Sequence, residues 1–315
     1  MRRPDSRSLI RIFGTLIALG LLVYLVSQQS WQEIWLAIQQ IPRWRLALAL
    51  LLMLVSRLAV ALRWHSLLQA ADLEIPFLRT LRITLAGLFA SNFLPTTIGG
   101  DVVRLAGLLQ LQIDSAVAAA SLIADRLVGI IGMSMMVPFS IPALSSILGA
   151  PPEAAPLPYP AAFLTGVGLR KVLERARRFF TRLYASMQRW LLKPVSLLKA
   201  LACTWAHMLC IFAILFLLLG GIGEHMPIWM IGGLYSLVYL VTLIPISING
   251  YGVQEISMAL IFSNLGRASL SGGLTVALLF RTVMLLASLP GAFFLPDILS
   301  TPAAKSPPLE SDRSM

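Results

Sequence analysis

The amino-acid sequence predicts an all-α fold: a polytopic integral membrane helix bundle of about 6–8 transmembrane helices, with two broken or re-entrant elements in a pseudo-repeat. Apolar residues make up 57% of the 315 residues, whereas charged residues make up only 12%. Hydrophobic runs long enough to cross a bilayer recur along the chain, and two of them are interrupted by proline and glycine beside ionisable residues. Most of the molecular surface is therefore expected to face lipid rather than water.

Charge sets the expected domain organisation and orientation. A single transmembrane domain is predicted over residues 1–299, followed by a disordered tail at 300–315 that is rich in proline, serine and charge. The net charge of +11 lies in residues 1–11, at +3, and in residues 170–199, at +8. The positive-inside rule places both segments in the cytoplasm, with the protein in the cell (plasma) membrane. A secretory signal peptide is the alternative interpretation of the N-terminal run, although no small-residue cleavage site follows it.

The apolar runs define the expected elements in chain order. Two of them are only about half a membrane thick, which predicts a re-entrant or discontinuous helix pair around Pro95, with a complete crossing as the alternative. The proline-rich stretch 148–160 predicts a loop and leaves the number of spans open. The predicted segments are residues 12–26, 46–62, 83–94, 102–111, 116–139, 196–220, 228–247, 245–263 and 273–296.

Residues 172–191 show a separate pattern. Apolar residues recur there every three or four positions, and arginines occupy most of the other positions. The pattern predicts a basic amphipathic helix on the cytoplasmic leaflet. Two roles fit this helix, one that gathers or orients lipid and one that only anchors the chain.

The first broken element combines a proline break, a diglycine, an acid and a base within an apolar sequence. A helix N-terminus at membrane depth attracts an anion, and an arginine one turn further along can hold a phosphate through two bonds. Alternatively, Asp101 caps the helix and Arg104 pairs with it. The candidate binding residues are Asn92, Pro95, Gly99, Gly100, Asp101 and Arg104.

A weaker copy of this element follows in the second half of the chain. In each copy an ionisable residue lies nine or ten positions after the proline, and Arg281 is a candidate partner of Glu255. Broken hydrophobic segments at corresponding places in two halves are typical of a transporter-type binding site, because freed backbone groups can hold a polar ligand. The candidate residues here are Pro245, Gly250, Gly252, Glu255 and Arg281.

Seven ionisable residues lie within or beside apolar runs. Each charge at the bilayer centre costs about 2.5–3.5 kcal/mol, so such residues should be paired or functional. Buried ion pairs explain any one of them, whereas the whole set favours a polar cavity. The seven are Arg57, Asp101, Arg104, Asp125, Arg126, Glu255 and Arg281. The histidines show no metal-ligand spacing, and neither a metal nor another cofactor is predicted.

In the order and spacing of these motifs, the chain resembles the transmembrane, flippase-like domain of lysylphosphatidylglycerol synthases over approximately residues 9–297. In those synthases this domain precedes a soluble aminoacyl-transferase domain and is held to move the modified lipid between leaflets. The resemblance implies a stand-alone relative without that catalytic domain. The chain departs from the family pattern at Asn249-Gly250, where a diglycine is usual, and at Gln254, where an arginine is frequent.

The expected function is binding, and translocation between leaflets, of an anionic phospholipid or a polyprenyl-linked lipid. Arg104, Arg126 and Arg281 would hold the phosphate. The carboxylates of Asp101, Asp125 and Glu255 would balance these arginines or pair with amine groups. The sequence contains no Gly-rich phosphate loop, so no motif in it indicates ATP coupling. Two alternatives stay open: a membrane enzyme acting on a lipid-linked phosphate or sugar, and a non-transporting subunit of a cell-envelope lipid-synthesis complex. No catalytic motif is found, and neither catalytic residues nor a nucleic-acid partner are predicted.

Overall fold

The computed structural model describes residues 39, 41–92, 99–141, 193–243 and 250–300, and this part of the chain is helical without a strand. Two 3₁₀ turns, Val137–Ser140 and Leu289–Phe293, each follow a long helix. The α-helices are α1 (Arg43–Ala70), α2 (Phe77–Ser91), α3 (Gly99–Gln110), α4 (Ser115–Ser134), α5 (Pro194–Gly221), α6 (Ile228–Thr242), α7 (Val253–Asn264), α8 (Leu270–Ser288) and α9 (Leu295–Ser300).

Four of the described helices are long and apolar enough to cross a membrane. They are Arg43–Ala70, Ser115–Ser140, Pro194–Gly221 and Leu270–Phe293, the second and fourth including their 3₁₀ turns. Large apolar side chains on their outer faces, such as Leu51 and Phe216, are exposed in the isolated chain. The predicted all-α membrane helix bundle is therefore confirmed.

The structure also contains two discontinuous elements at the predicted positions. Helices α2 and α6 are 15 residues long, and after a gap each is followed by a helix of 12 residues, α3 and α7. Pro95 and Pro245, like the predicted segment 12–26, the amphipathic pattern 172–191 and the tail from 301, lie outside the described residues.

Local chemistry explains where the helices begin. Asp114 caps α4 by accepting hydrogen bonds from the amides of Ala116 and Val117, at 2.9 and 3.2 Å. Ser269 caps α8 by accepting from the amide of Gly272 at 3.0 Å. Such caps satisfy amides that have no partner inside the helix.

The helices repeat in the order α1–α4 and α5–α8. Helices α1 and α5 are both 28 residues long, and α4 and α8 contain 20 and 19 residues. The loop residue three positions before α4, Gln112, and its counterpart before α8, Arg267, both adopt left-handed backbone angles, with φ of 59° and 58°. We refer to α1–α4 with its turn as the first repeat and to α5–α8 with its turn as the second repeat.

The two repeats run in opposite directions. Near the start of α1, Arg45 donates to the carbonyl of Leu217 near the end of α5, whereas beyond the end of α1 Asp72 contacts Lys193, just before α5. Because equivalent helices pack antiparallel, the axis relating the repeats is perpendicular to them. This arrangement is an inverted repeat of the kind found in secondary transporters.

A hydrogen bond between equivalent positions of α1 and α5 lies at the axis that relates the two repeats. Ser56 and His207 are each the fourteenth residue of their helices, and Ser56 Oγ lies 2.6 Å from His207 Nδ1. Packing around the axis is reciprocal, since α2 contacts the turn of the second repeat and α6 contacts the turn of the first. Glycine allows both close approaches, at Gly291 against Leu85 and at Gly233 against Ser140.

Candidate functional site

A cavity of about 360 Å³ lies between the repeats. Both broken elements reach it, through Gly100, Asp101 and Arg104 in the first repeat and through Gly250 and Gln254 in the second. Its volume falls within the range of small-ligand sites, about 300–1,000 Å³. The charged residues of its lining are Arg57, Arg63, Asp101, Arg104, Asp125, Arg126 and Arg281.

Arg104 is the centre of the charge network in the first repeat. Its Nη1 donates to Asp101 Oδ1 at 3.2 Å, and its Nη2 donates to Asp125 Oδ2 at 2.9 Å. Its guanidinium carbon lies 4.1 Å from the centre of the Trp64 ring, so the cation is also stacked on an aromatic face. Both alternatives for Arg104 thus begin from the same geometry: it folds back onto Asp101, and it lines the cavity.

Two further arginines complete this network. Arg63 Nε donates to Asp125 Oδ1 at 2.6 Å, and Arg126 Nε donates to Asp101 Oδ2. The oxygens of Asp101 that could have capped α3 are thus both occupied by arginine. Asp125 is only 1% exposed, and a carboxylate at that depth is stable only when it is paired in this way.

In the second repeat, Arg281 and Glu255 form the expected pair. Arg281 Nε donates to Glu255 Oε1, and Arg281 Nη2 donates to the carbonyl of Gly250 at 3.3 Å. The other oxygen of Glu255 accepts from the amide of Gly252 at 2.7 Å, and the Tyr251 ring lies 4.6 Å from the Arg281 guanidinium. Gly250 and Gly252 have φ of 71° and 78°, which other residues adopt only with strain. The glycine backbone therefore helps to hold the ion pair, because the Gly252 amide binds Glu255 and the Gly250 carbonyl binds Arg281.

The structure relates the two motifs differently from the sequence pattern. Counting from the prolines pairs Arg104 with Glu255, but Asp101 and Glu255 are each the third residue of their helices. Likewise, Arg126 and Arg281 are each the twelfth residue of α4 and α8. The ion pair of Asp101 with Arg126 is thus the repeat counterpart of the pair of Glu255 with Arg281.

Arg57 is the exception among the cations of the cavity. Its side chain is 8% exposed, and among the described residues it has no carboxylate or hydrogen-bond partner, with its Nε wholly buried. It lies next to Ser56, near the middle of α1, and His207 and Tyr235 line the same cavity. A buried cation without a partner is costly unless a ligand supplies the missing charge.

Several predicted residues support the walls of the cavity, and one of them, Gly100, also lines it. Asn92 ends α2 and donates to Ser288 Oγ at 2.9 Å, which ties the first break to α8. Gly99 is buried at the start of α3. Gly100 lets α3 approach α2, because a Cβ atom there would lie 2.6 Å from the carbonyl oxygen of Gly87. Glu255 and Gly252 act through their bonds to Arg281 and to each other, as described above.

Sequence reasoning missed some residues of the site. Arg63 directly follows the predicted segment 46–62, but α1 continues to Ala70, and the half-buried Arg63 side chain is paired with Asp125. Trp64 and His207 also belong to the site. The polar residues Arg57, Arg63 and Trp64, spaced by about two helical turns, were the available signal that one face of α1 borders a polar cavity.

The described residues contain no group of three His, Cys, Asp or Glu side chains suited to hold a metal ion. Fold and site together define a membrane helix bundle with inverted repeats and an arginine-rich internal cavity. Residues 11–291 match the family model described as the lysylphosphatidylglycerol synthase TM region, so the chain belongs to this family. It is an integral membrane protein of a family related to lipid metabolism. A comparison with curated proteins finds no match.

Proposed function

We propose that the protein binds the phosphate of an anionic lipid headgroup in the cavity between its repeats and carries that lipid between the two leaflets. The supporting observation is Arg57. Five arginines face the cavity, and the carboxylates of Asp101, Asp125 and Glu255 engage four of them, which are Arg63, Arg104, Arg126 and Arg281. The fifth, Arg57, is buried and has no carboxylate partner among the described residues.

A buried arginine without a carboxylate is costly in a protein that lipid surrounds. An anion that enters the cavity removes part of this cost, and guanidinium groups bind phosphate through paired, charge-assisted hydrogen bonds. In this proposal Arg57 makes the first contact. Arg104, Arg126 and Arg281 line the path of the headgroup, and the carboxylates hold these three arginines in position.

The inverted repeats provide a route for translocation. Repeats of opposite direction around a shared central site allow alternating access, in which one repeat moves against the other while the ligand stays near the axis. The hydrogen bond of Ser56 with His207 lies on that axis, and both broken elements border the cavity. Gly100 and Gly250, the glycines at the breaks, both line the cavity, so that backbone without a side chain borders the path of the headgroup.

Orientation and location are part of the proposal. The charge of residues 1–11 and 170–199 favours a cytoplasmic N-terminus and basic segment in the plasma membrane. Cysteine labelling tests this at Ser186→Cys, which should react with a membrane-impermeant reagent only after the membrane is opened. Labelling of Ser186→Cys from outside in intact cells would contradict this orientation and support the opposite one.

Reconstitution tests the function itself. Purified protein is placed in liposomes that contain phosphatidic acid or phosphatidylglycerol labelled on an acyl chain, and the label in the outer leaflet is bleached with an impermeant reductant. We expect the inner-leaflet lipid to become accessible faster than in protein-free liposomes. Arg57→Gln should abolish this acceleration, whereas Arg43→Gln, an exposed position on the same helix, should preserve it.

The other outcomes separate the alternatives. A chemically altered lipid would identify a membrane enzyme. Retention of lipid through purification without transfer would favour a non-transporting subunit. Neither retention nor transfer of any anionic lipid would overturn the proposal.

A further inference from the structure

We infer that a second cavity, at the base of the hairpin formed by α2 and α3, is a separate lipid site, in which Arg79 and Arg82 bind the phosphate of an anionic phospholipid. This site does not depend on the proposed function, because none of the residues that line it also lines the cavity between the repeats. The packing of the hairpin, the two arginines and the exposed apolar side chains beside them support it.

Helices α2 and α3 pack as an antiparallel hairpin. Gly100 at the start of α3 approaches Gly87, whereas Gly107 near the end of α3 approaches Ile83, which lies one turn closer to the start of α2. Residues 71–76 connect α1 to α2, so the base of the hairpin lies on the side of the molecule where α1 ends. This connection also contacts Lys193, a residue of the basic segment just before α5. The base therefore lies on the side that the charge distribution predicts to be cytoplasmic.

A cavity of about 340 Å³ lies at this base, between α2, α3 and α9. Gln110 at the end of α3 donates a hydrogen bond to the carbonyl of Ile298, which holds α9 beside the hairpin. Ile83, Phe294 and Ile298 form the apolar part of the lining. The volume lies within the range of small-ligand sites, about 300–1,000 Å³. The cavity can thus hold a phospholipid headgroup while the acyl chains stay in the membrane.

Two arginines point to a phosphate as the ligand. Arg79 and Arg82 lie three positions apart on α2, on one face of the helix, and both line the cavity. Their side chains are exposed, and neither forms an ion pair with a described carboxylate. The guanidinium carbon of Arg82 lies 5.7 Å from the centre of the Phe294 ring, so that an aromatic face supports this cation. Asp297 is the one carboxylate among the described lining residues. Neighbouring guanidinium groups bind phosphate oxygens through paired hydrogen bonds.

The surroundings of the cavity favour a lipid over a soluble anion. Leu78, next to Arg79, is 64% exposed, and Phe293, next to Phe294, is 82% exposed. In a membrane protein, apolar side chains exposed to this extent contact acyl chains, whereas arginines near the end of a span reach the headgroups. A phospholipid satisfies both groups at once, because its phosphate meets the arginines and its acyl chains cover Leu78 and Phe293. Anionic lipids also concentrate in the cytoplasmic leaflet.

Lipid titration tests the inference. Arg57→Gln protein, in which the cavity between the repeats is altered, is titrated in detergent with phosphatidylglycerol or with phosphatidylcholine of the same acyl chains, and bound lipid is counted by native mass spectrometry. We expect one phosphatidylglycerol to bind at least about five-fold more tightly than phosphatidylcholine, because the choline cation lies against two arginines. Equal binding of the two lipids would overturn the inference.

Variants of α2 locate the preference. Arg79→Gln combined with Arg82→Gln should abolish it without changing thermal unfolding, since both side chains are exposed. The matched control is Lys199→Gln, which removes an exposed cation near the start of α5, on the same side of the molecule and outside the lining of both cavities. This control should keep the full preference. An equal loss in the control would assign the effect to the general surface charge and contradict the inference.

Lysine substitutions separate a built site from general attraction. Arg79→Lys combined with Arg82→Lys keeps both charges but removes the planar guanidinium groups that bind phosphate through two bonds. We expect affinity for phosphatidylglycerol to fall about three-fold or more, because a charge-assisted hydrogen bond is lost. Unchanged affinity would show that only charge is needed and would overturn the inference.

An inorganic phosphate arm separates a lipid from a soluble anion. Phosphate at the concentration of the lipid should not displace phosphatidylglycerol, because acyl chains contribute to its binding. Displacement would assign the cavity to a soluble phosphate and overturn the inference. The proposed function fails by a different result, which is lipid transfer in liposomes that does not depend on Arg57. Loss of transfer in Arg57→Gln, with the preference at Arg79 and Arg82 intact, supports both proposals.

Discussion

The two repeats share one ion pair and differ in almost every other charge. Asp101 with Arg126 in the first repeat and Glu255 with Arg281 in the second occupy equivalent positions and join equivalent helices. In each case a carboxylate in the first turn of a half-length helix binds an arginine on the following long helix. The shared pair is therefore part of the repeat architecture, since it fixes the start of each broken helix against its neighbour.

The remaining cavity charges belong to the first repeat alone. Arg57, Arg63, Arg104 and Asp125 have apolar counterparts in the second repeat, namely Met208, Ile214, Met258 and Phe280, at the same positions in their helices. These four counterparts are almost wholly buried and lie in the largest apolar cluster of the described structure. The first repeat thus supplies most of the charge of the cavity, whereas the second repeat supplies most of the packed apolar core.

The largest effect is expected when a charge of the first repeat is placed in the second. Met208→Arg introduces the counterpart of Arg57 into a tightly packed cluster whose described members are all apolar. A buried unpaired charge costs several kcal/mol, so we expect a loss of about 4 kcal/mol or more and little folded protein. The yield of folded protein is measured by expression level and by size-exclusion chromatography in detergent.

The matched control is Met208→Leu, a change that nearly conserves volume and should cost less than about 1.5 kcal/mol. A folded, monodisperse Met208→Arg protein would show that the two repeats tolerate charge equally. The proposed difference between the repeats, in which only the first accommodates a charge at this position, would then be wrong.

Removal of the shared pair should give the next largest effect, and a different one in each repeat. Glu255→Gln leaves Arg281, which is 6% exposed, without its carboxylate, and we expect a loss of about 3–5 kcal/mol in stability. Asp101→Asn should cost less, because the Arg126 side chain is 45% exposed and Arg104 keeps its bond to Asp125. Thermal unfolding of the purified variants in detergent provides the comparison. Equal losses would show that both pairs are equally buried in the membrane.

The same asymmetry explains what the sequence could and could not predict. The two breaks and the partnership of Glu255 with Arg281 follow from composition, because glycine, proline and charge rarely interrupt an apolar run without a structural reason. The direction of the repeat could not be predicted, since it depends on the antiparallel packing of α1 and α5, which no local pattern records. The correspondence of Asp101 with Glu255 was obscured because the connectors after Pro95 and Pro245 differ in length.

Arg63 and Arg57 show what else the sequence could not predict about the site. The apolar run of α1 weakens after residue 62, so Arg63 resembles an interfacial charge in the sequence. The helix nevertheless extends about two turns further, and the Arg63 side chain is bonded to Asp125. Arg57 was recognised as a buried charge. That it has no partner among the described residues depends on which side chains surround it in the folded bundle, and this is tertiary information.

A moderate effect is expected where the helices of the first break cross. A Cβ atom at Gly100 would lie 2.6 Å from the carbonyl oxygen of Gly87, so Gly100→Ala should cost about 1–3 kcal/mol and shift α3 away from α2. The equivalent position in the second repeat is the half-buried Gln254, and Gln254→Ala should change stability by about 0.5 kcal/mol or less. Thermal unfolding measures both, and similar values for the two would mean that the breaks are equally close-packed.

The smallest change in stability, and the most informative change in binding, is expected from the reverse exchange. Arg57→Met gives the first repeat the residue that the second repeat has at this position. Replacing a buried charge with an apolar residue of similar volume is often neutral or stabilising, so the unliganded protein should gain about 1 kcal/mol. Lipid retained through purification, measured by native mass spectrometry, should fall about ten-fold or more. A residue that lowers stability and raises ligand affinity serves the ligand. If Arg57→Met instead destabilised the protein and left lipid retention unchanged, Arg57 would be a structural cation, and the first repeat would differ from the second only in how its core is built.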